Sequence, residues 1–414
     1  MAIRIDGRTP RNWTVGAMIK KKSISIIGGG PAALMLAAWL NNEQFNVSIY
    51  EQNKSLGRKF LVAGKGGFNL THAEPIAQLI QRYTPPSFLQ QALRNFDNND
   101  LQNWLKEIGI PTFVGTSKRV YPVKGIKPIE VLNAIVKVLS NRGVKIQYEH
   151  TWKGWNNNNL VFNNDTEIAS DITVFALGGG SWKVTGSDGT WLDLFHNHNI
   201  NVVPFQASNC AYKVNWPAPF IAKHEGNPLK NISASCGNKT QKGELVITQF
   251  GLEGNAIYAL SPQIREALNA KQQAIVFLDI KPALTAEEVL LKIKKSTLKN
   301  TTDILRTALN LSPAQIGLLK TYTTKETFLN LELLTASIKQ LPIEVTASAP
   351  IDQAISTTGG LSLDEVDEWF QLKKRPQQYC IGEMLDWDAP TGGYLLQACF
   401  SIGVHLAHHL NNTH

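Results

Sequence analysis

Cysteine is scarce in this chain: Cys210, Cys236, Cys380 and Cys399 are the only four in 414 residues. No two of them form C-x-x-C, and none sits with histidines at zinc-ligand spacing, so a redox-active dithiol and a structural zinc site are both disfavoured. Widely spaced thiols fit a reducing cytoplasm. The signatures G-x-S-x-G, H-E-x-x-H and the P-loop are absent as well, which removes the commonest hydrolase and nucleotide-triphosphatase readings. Charge of one sign is also missing from most of the chain. The net charge is +8, yet Arg4, Arg8, Arg11, Lys20, Lys21 and Lys22 against Asp6 put +5 of it in the first 22 residues and leave +3 for the rest. So balanced a body gives little electrostatic footprint for nucleic acid, and no such partner is expected. Residues 1–17 lack apolar periodicity and read, with the lysines, as a flexible basic leader over 1–22, Met18 being an alternative start.

What is present begins directly behind those lysines. SISIIGGGPAALMLAAWL, Ser23 to Leu40, carries no charge and approaches the length of a signal sequence or membrane span. Spacing decides against both. Gly28, Gly30 and Ala33 form G-x-G-x-x-A between an apolar strand, Ile24 to Ile27, and a helical stretch, Leu34 to Leu40. A second strand, Val47 to Tyr50, ends at Glu51. This is the strand–turn–helix–strand of a dinucleotide-binding unit. Gly28 permits the tight turn, Gly30 lets the backbone approach a pyrophosphate, and Ala33 allows close helix packing. The helix mouth at Pro31, Ala32 and Ala33 receives the negative charge. Glu51 accepts hydrogen bonds from an adenine-side ribose, which leaves NAD and FAD open and disfavours NADP.

The stretch SLGRKFLVAGKGGFNLTHAEP, Ser55 to Pro75, carries Gly57, Arg58 and Lys59, then Gly64, Gly66 and Gly67 before Asn69. Glycines so dense imply close backbone approach by a long cofactor rather than an ordinary amphipathic helix. Here the chain resembles the BaiN/YhiN-like bacterial flavoproteins, a family of NAD(P)/FAD-dependent oxidoreductases also described as the aminoacetone oxidase family. The family's usual G-R-K-x-x-x-S-G-x-G-R-C-N has Gly67-Phe68 in place of Arg-Cys, so this chain is similar to a divergent subgroup and roles carried by that pair are not transferred. The resemblance covers most of residues 23 to 414 through KRVYPVKG (Lys118 to Gly125), VFALGGGSW (Val174 to Trp182), QFGLEGNAI (Gln249 to Ile257) and GEMLDWDAPTGGYLLQACFSIG (Gly382 to Gly403). In the third, Gln249, Glu253 and Asn255 replace the usual histidine, serine and proline. The resemblance implies FAD as cofactor, with Gly178 and Gly179 returning the chain to it.

Residue chemistry adds to that. Tyr379-Cys380-Ile381 reads as a buried strand ended by Gly382-Glu383, whose carboxylate would take hydrogen bonds from ribityl hydroxyls. Thr391-Gly392-Gly393 opens a C-terminal helix whose free N–H groups would face the flavin's pyrimidine edge and stabilise its reduced anion. Arg58, Lys59 and Asn69 would lie along the cofactor, Lys59 near a phosphate, solvent, flavin N5 or a substrate carboxylate. No catalytic acid or base stands out. His405-x-x-His408-His409 reads as a terminal-turn face placed well for the helix dipole, not as a metal site.

The expected architecture is α/β: a two-layer FAD-binding Rossmann-like domain over 23–195 and 350–414, interrupted by an insert at 196–349. Short apolar strands predict a β-barrel over about 196–280 and 335–349. Capping boxes at Thr285/Glu288 and Ser312/Gln315 predict a helical part over about 281–334, three short helices lying as a cap over the cofactor domain and shaping a substrate cavity. TWKGWNNNNLVFNND, Thr151 to Asp165, predicts a β-meander. The function implied is FAD-dependent two-electron chemistry on a small molecule, as oxidase or reductase. One dinucleotide motif leaves NAD(P)H or another donor to bind transiently, with no membrane partner. A flavoprotein acting in RNA modification and an NAD-linked dehydrogenase are the alternatives.

Overall fold

The structure, a computed structural model, describes residues 20–62 and 68–413. The expected leader as far as Ile19, and Gly64, Gly66 and Gly67, lie outside the described residues. The uncharged opening run divides into β1 (Lys22–Ile27), a turn at Gly28–Gly30, and α1 (Pro31–Trp39), followed by β2 (Phe45–Glu51). With β3 (Lys145–Tyr148), β4 (Ile172–Phe175) and β5 (Gln378–Cys380) these strands form a wholly parallel sheet in the order β5-β4-β1-β2-β3. Ile27 lies in register with both Tyr50 and Phe175, and Phe175 with Cys380. Gly28, Glu51, Gly178 and Glu383 therefore leave the sheet at its carboxyl edge, where open α/β sheets bind ligands.

Apolar residues on both sides of the sheet dictate two covering layers. One is α1 against α2 (Tyr394–Thr413), so close that a Cβ on Gly403 would stand 2.5 Å from the carbonyl oxygen of Ala32. The other is a meander of Trp152–Asn156, Asn159–Phe162 and Glu167–Ile168 turning at Asn157 with φ +53°. Its Trp152 and Trp155 meet Phe175 of β4 at centroid distances of 4.8 and 5.4 Å. No helix among the described residues is long and apolar enough to cross a membrane.

Buried apolar residues separate into two cores, one drawn from 24–200 and 361–410, the other from 207–354. Between them runs a two-stranded antiparallel ribbon, Val202–Ser208 with Ser356–Leu361. The insert's sheet has seven strands, Leu341–Val345 at one end and Ala347–Ser348 at the other. No ladder joins these end strands among the described residues; they are successive pieces of one chain segment, meeting at Thr346. The expected barrel is thus a curled sheet whose ends are linked covalently rather than by hydrogen bonds.

The helical part differs from expectation in number and in place. Both capping boxes form, Thr285 with Glu288 and Ser312 with Gln315, but there are five helices over Ala286–Lys339 rather than three. Asn300, Thr324 and Asn330 cap the three helices without a box through side-chain oxygens, a device that lacks the Glu or Gln partner of a full box. The helices pack on the insert sheet, chiefly on Pro228–Cys236, Ala274–Asp279 and Leu341–Val345, and their buried side chains belong to the insert core rather than to that of the cofactor domain. Removing one cap should therefore cost stability without touching the ligand sites. Ser312→Ala is expected to lower unfolding free energy by about 1 kcal/mol in denaturant titration, with cofactor retention unchanged.

The C-terminal histidines also depart from expectation. His405 is buried, bonded through Nδ1 to the Asn95 amide at 2.7 Å and stacked on Trp369, and burial lowers its pKa from the ordinary 6.5 to about 4. It is a neutral packing residue, not a cationic helix cap. Between those two pH values the unfolded chain holds the proton and the native chain does not, so stability falls as pH drops through that window. In His405→Gln the denaturation midpoint should vary less between pH 6.5 and 4 than in the parent.

Candidate active site

The β1–α1 turn is set by steric necessity. Gly28 has φ +99°, and a Cβ there would lie 2.4 Å from the carbonyl oxygen of Ala176 on the neighbouring strand exit. A Cβ on Gly30 would meet nothing within 4 Å, so this backbone faces open space. Gly30 caps α1 without any side-chain hydrogen bond, and the first-turn N–H groups have no intrahelical acceptor. Glu51, 7 % exposed, is held from behind: Oε2 accepts from the Gly29 N–H at 2.9 Å, and Oε1 accepts from the Asn53 N–H and Nδ2 at 2.8 and 2.7 Å. Its remaining lone pairs are pre-oriented toward a cavity of about 140 Å³ lined by Gly28, Gly30, Pro31, Arg58 and Gly178 among others.

A second cavity, of about 480 Å³, lies between the two cores. Phe60, Val62, Leu395 and Leu396 wall it from the sheet side, Leu245 and Val246 from the insert. Pro31, Lys59, Phe60 and Glu383 line both cavities, so the two meet there. At that junction Lys59 Nζ is 3.2 Å from Glu383 Oε2 and 3.0 Å from Ser181 Oγ. The cavity floor is the turn Thr391–Gly393, with φ +120° at Gly392 and +99° at Gly393. A Cβ on Gly393 would stand 2.6 Å from the backbone of Thr71. Tyr394, next in sequence, is anchored below: its hydroxyl donates to Glu74 Oε1 at 2.8 Å, Arg82 pairs with the same carboxylate, and Tyr83 donates to the Tyr394 carbonyl.

A dinucleotide fits these residues on three independent grounds. The first cavity offers the Gly28–Pro31 turn at the mouth of α1 and a pinned carboxylate, the second continues from it, and Asn69 Nδ2, buried at the cavity wall, has no hydrogen-bond partner among the described residues. Such an orphaned donor calls for a ligand acceptor. Of the residues expected from sequence, Gly28, Gly30, Pro31, Glu51, Arg58, Lys59, Gly178 and Glu383 line the first cavity, and Asn69 and Thr391–Gly393 the second. Ala32 and Ala33 are buried in helix packing and Gly179 is turned against Thr357; none of the three lines either cavity.

Sequence reasoning missed Arg119. It stands on the strand Arg119–Pro122 at the rim of the large cavity, its Nε 3.5 Å from where a Cβ on Gly392 would be. Its guanidinium has no ion pair among the described residues. The only available signal was the quoted KRVYP stretch, which gives no role. Cys399 also lines the cavity, but burial holds its thiol well above the ordinary range, so it is no thiolate nucleophile. No group of side chains suited to a metal ion occurs among the described residues.

The chain matches the HI0933-like protein Rossmann domain family over residues 22–409. It is 24 % identical over 407 residues to a 3-dehydro-bile acid delta(4,6)-reductase of Clostridium scindens, covering 92 % of this chain and 97 % of that protein. It is 24 % identical over 396 residues to a ribosomal RNA dihydrouridine synthase of Haemophilus influenzae, covering 91 % and 95 %. Among solved structures, the open conformation of a flavocytochrome c3 fumarate reductase aligns with TM-score 0.47 and 11 % identity, over 94 % of this chain and 78 % of that one. If the pinned carboxylate and the tight turn form the nucleotide site, Glu51→Ala should reduce FAD affinity by about tenfold or more, the scale of one lost charge-assisted contact. Gly28→Ala should yield protein that retains no flavin through gel filtration.

Proposed function

The chain belongs to the HI0933-like family, a family of FAD-dependent oxidoreductases, and on that premise we propose that it is a reductase of a carbon–carbon double bond conjugated to a carbonyl in a flat, largely apolar small molecule. Bound FAD supplies two-electron chemistry at its N5 atom. We assign the adenosine ribose to Glu51, the diphosphate to the mouth of α1 with Gly28, Gly30 and Arg58, and the ribityl chain to the Lys59–Glu383 junction. The pyrimidine edge falls to Asn69 and the Thr391–Gly393 turn. Gly178 lines the adenosine cavity. Electrons come from a transient donor such as NAD(P)H, and four buried, unpaired cysteines support a reducing, cytoplasmic setting.

Arg119 carries the choice of reaction. Saturating a conjugated double bond places negative charge on the conjugated oxygen until a proton arrives, and a guanidinium with no ion pair among the described residues, in a mainly apolar cavity that also carries Glu244, is suited to neutralise it. The names of both kinds of curated relative describe a reduction at a double bond, which agrees.

One feature favours a second reading, in which the double bond belongs to a base within RNA. From Ile108 to Ile129 there is no acidic residue, while Lys118, Lys124 and Lys127 are exposed. On the same hairpin Phe113 and Val114 are 47 % and 51 % exposed. The small average charge of the body conceals this cluster, which offers cations and a ring to a single strand.

Mixing the anaerobically reduced holoprotein with cyclic enones and with uridine-containing oligonucleotides separates the readings. Enones are expected to reoxidise the flavin, and Arg119→Met to lower kcat/KM by about tenfold or more with flavin content unchanged. Turnover of oligonucleotide alone, suppressed between about 50 and 200 mM salt, would establish the RNA reading instead. Rapid reoxidation by oxygen and by neither substrate would refute both.

A further inference from the structure

Asn209 follows the ribbon strand Val202–Ser208 and is 1 % exposed, with a left-handed backbone at φ +51°. Each polar atom of its amide is committed. Nδ2 donates to Ser356 Oγ and to the Ala389 carbonyl, both at 2.7 Å, and Oδ1 accepts from the Thr391 N–H at 3.1 Å. Its backbone N–H donates to Ser261 Oγ at 3.1 Å. Two acceptors on Nδ2 fix the amide's rotation, because the flipped amide would set oxygen against oxygen at Ala389 and N–H against N–H at Thr391.

The adjoining contacts divide the labour at this junction. Ser208 Oγ donates to both oxygens of Asp388 at 2.8 and 2.7 Å, and Arg265 Nη2 reaches the same carboxylate at 3.0 Å. This buried cluster ties the insert to the sheet domain without touching the glycine turn. The turn itself is braced by Thr71 at Gly393 and by the Tyr394 anchor, both within the sheet domain. Its third side, Thr391, is held by Asn209.

Resting on the FAD assignment above, we infer that Asn209 is a positioning residue: by holding the Thr391 N–H it fixes the Thr391–Gly393 turn, so that the Gly392 and Gly393 N–H groups point at the edge of the flavin where reduction places negative charge. The junction between the two cores thereby helps to set how strongly the site prefers reduced over oxidised cofactor.

Asn209→Gly tests this, since glycine keeps the left-handed backbone without strain and deletes all three amide bonds. Ser208→Ala is the control, loosening the same junction while leaving the Asn209 amide intact. The readouts are FAD dissociation constant and flavin midpoint potential. N209G is expected to bind FAD and to lose about tenfold of the preference for the reduced form, a fall of about 30 mV for a two-electron couple, with S208A at the parent value. An N209G potential equal to the parent's, or an equal fall in S208A, overturns the inference. Should N209G not be recovered folded, Ser356→Ala, which removes one acceptor of the amide, takes its place: a smaller fall supports the role and no fall overturns it. Parent protein that binds no FAD refutes the cofactor assignment and this inference with it; parent protein that binds FAD while N209G matches its potential refutes the Asn209 role alone.

Discussion

At the end of β1 the backbone passes so close to the exit of β4 that only a hydrogen fits at Gly28, a Cβ there lying 2.4 Å from the Ala176 oxygen. That contact aims α1 at the carboxyl edge of the sheet and leaves Gly30 facing open space. It also brings the Gly29 N–H within 2.9 Å of Glu51, so that the acid ending β2 is oriented before any ligand arrives. Pre-orientation matters because a carboxylate already satisfied on its inner side loses little freedom on binding and presents its outer lone pairs ready aligned. The rest of the site is reached from this corner, along Pro31 and Phe60, past the Lys59–Glu383 pair and into the larger cavity.

The larger cavity depends on a different constraint, the junction of two separately packed cores. A two-stranded ribbon connects them, and such a thin connection would leave the insert free to swing. Buried polar contacts restrain it: Asp388 with Ser208 and Arg265, Asn209 with Ser356, Ala389 and Thr391. Buried hydrogen bonds of this kind are exacting in geometry because each unsatisfied partner would be costly. They hold the Leu245–Val246 wall over the glycine turn, and Arg119 and Glu244 line the same cavity without an ion pair among the described residues.

The dinucleotide unit was legible in the sequence because its information is local: turn sterics, helix mouth and terminal carboxylate all lie within Gly28 to Glu51. The β-meander and the capping boxes were legible for the same reason. What could not be read depends on contacts distant in sequence. Asn209 meets Thr391 across 182 positions, and nothing in Ser-Asn-Cys announces it. Arg119 comes beside the C-terminal turn only through tertiary folding, its Nε 3.5 Å from where a Cβ on Gly392 would be. Capping signals locate where a helix starts but not what it packs against, so helices expected over the cofactor domain lie instead on the insert sheet. His405 shows the same limit, since spacing could not tell a solvent-facing turn from a ring stacked on Trp369. Averaged charge likewise hid the basic hairpin around Arg119.

A structure of the protein with FAD bound would test the central claim most directly, namely that one cofactor runs from Glu51 to the turn before Tyr394. The account requires the diphosphate at the first turn of α1, the ribose hydroxyls on Glu51, and the isoalloxazine in the cavity between Phe60 and Leu245 with its pyrimidine edge at Thr391–Gly393. An isoalloxazine lying outside that cavity, or an adenosine moiety not bonded to Glu51, would contradict it.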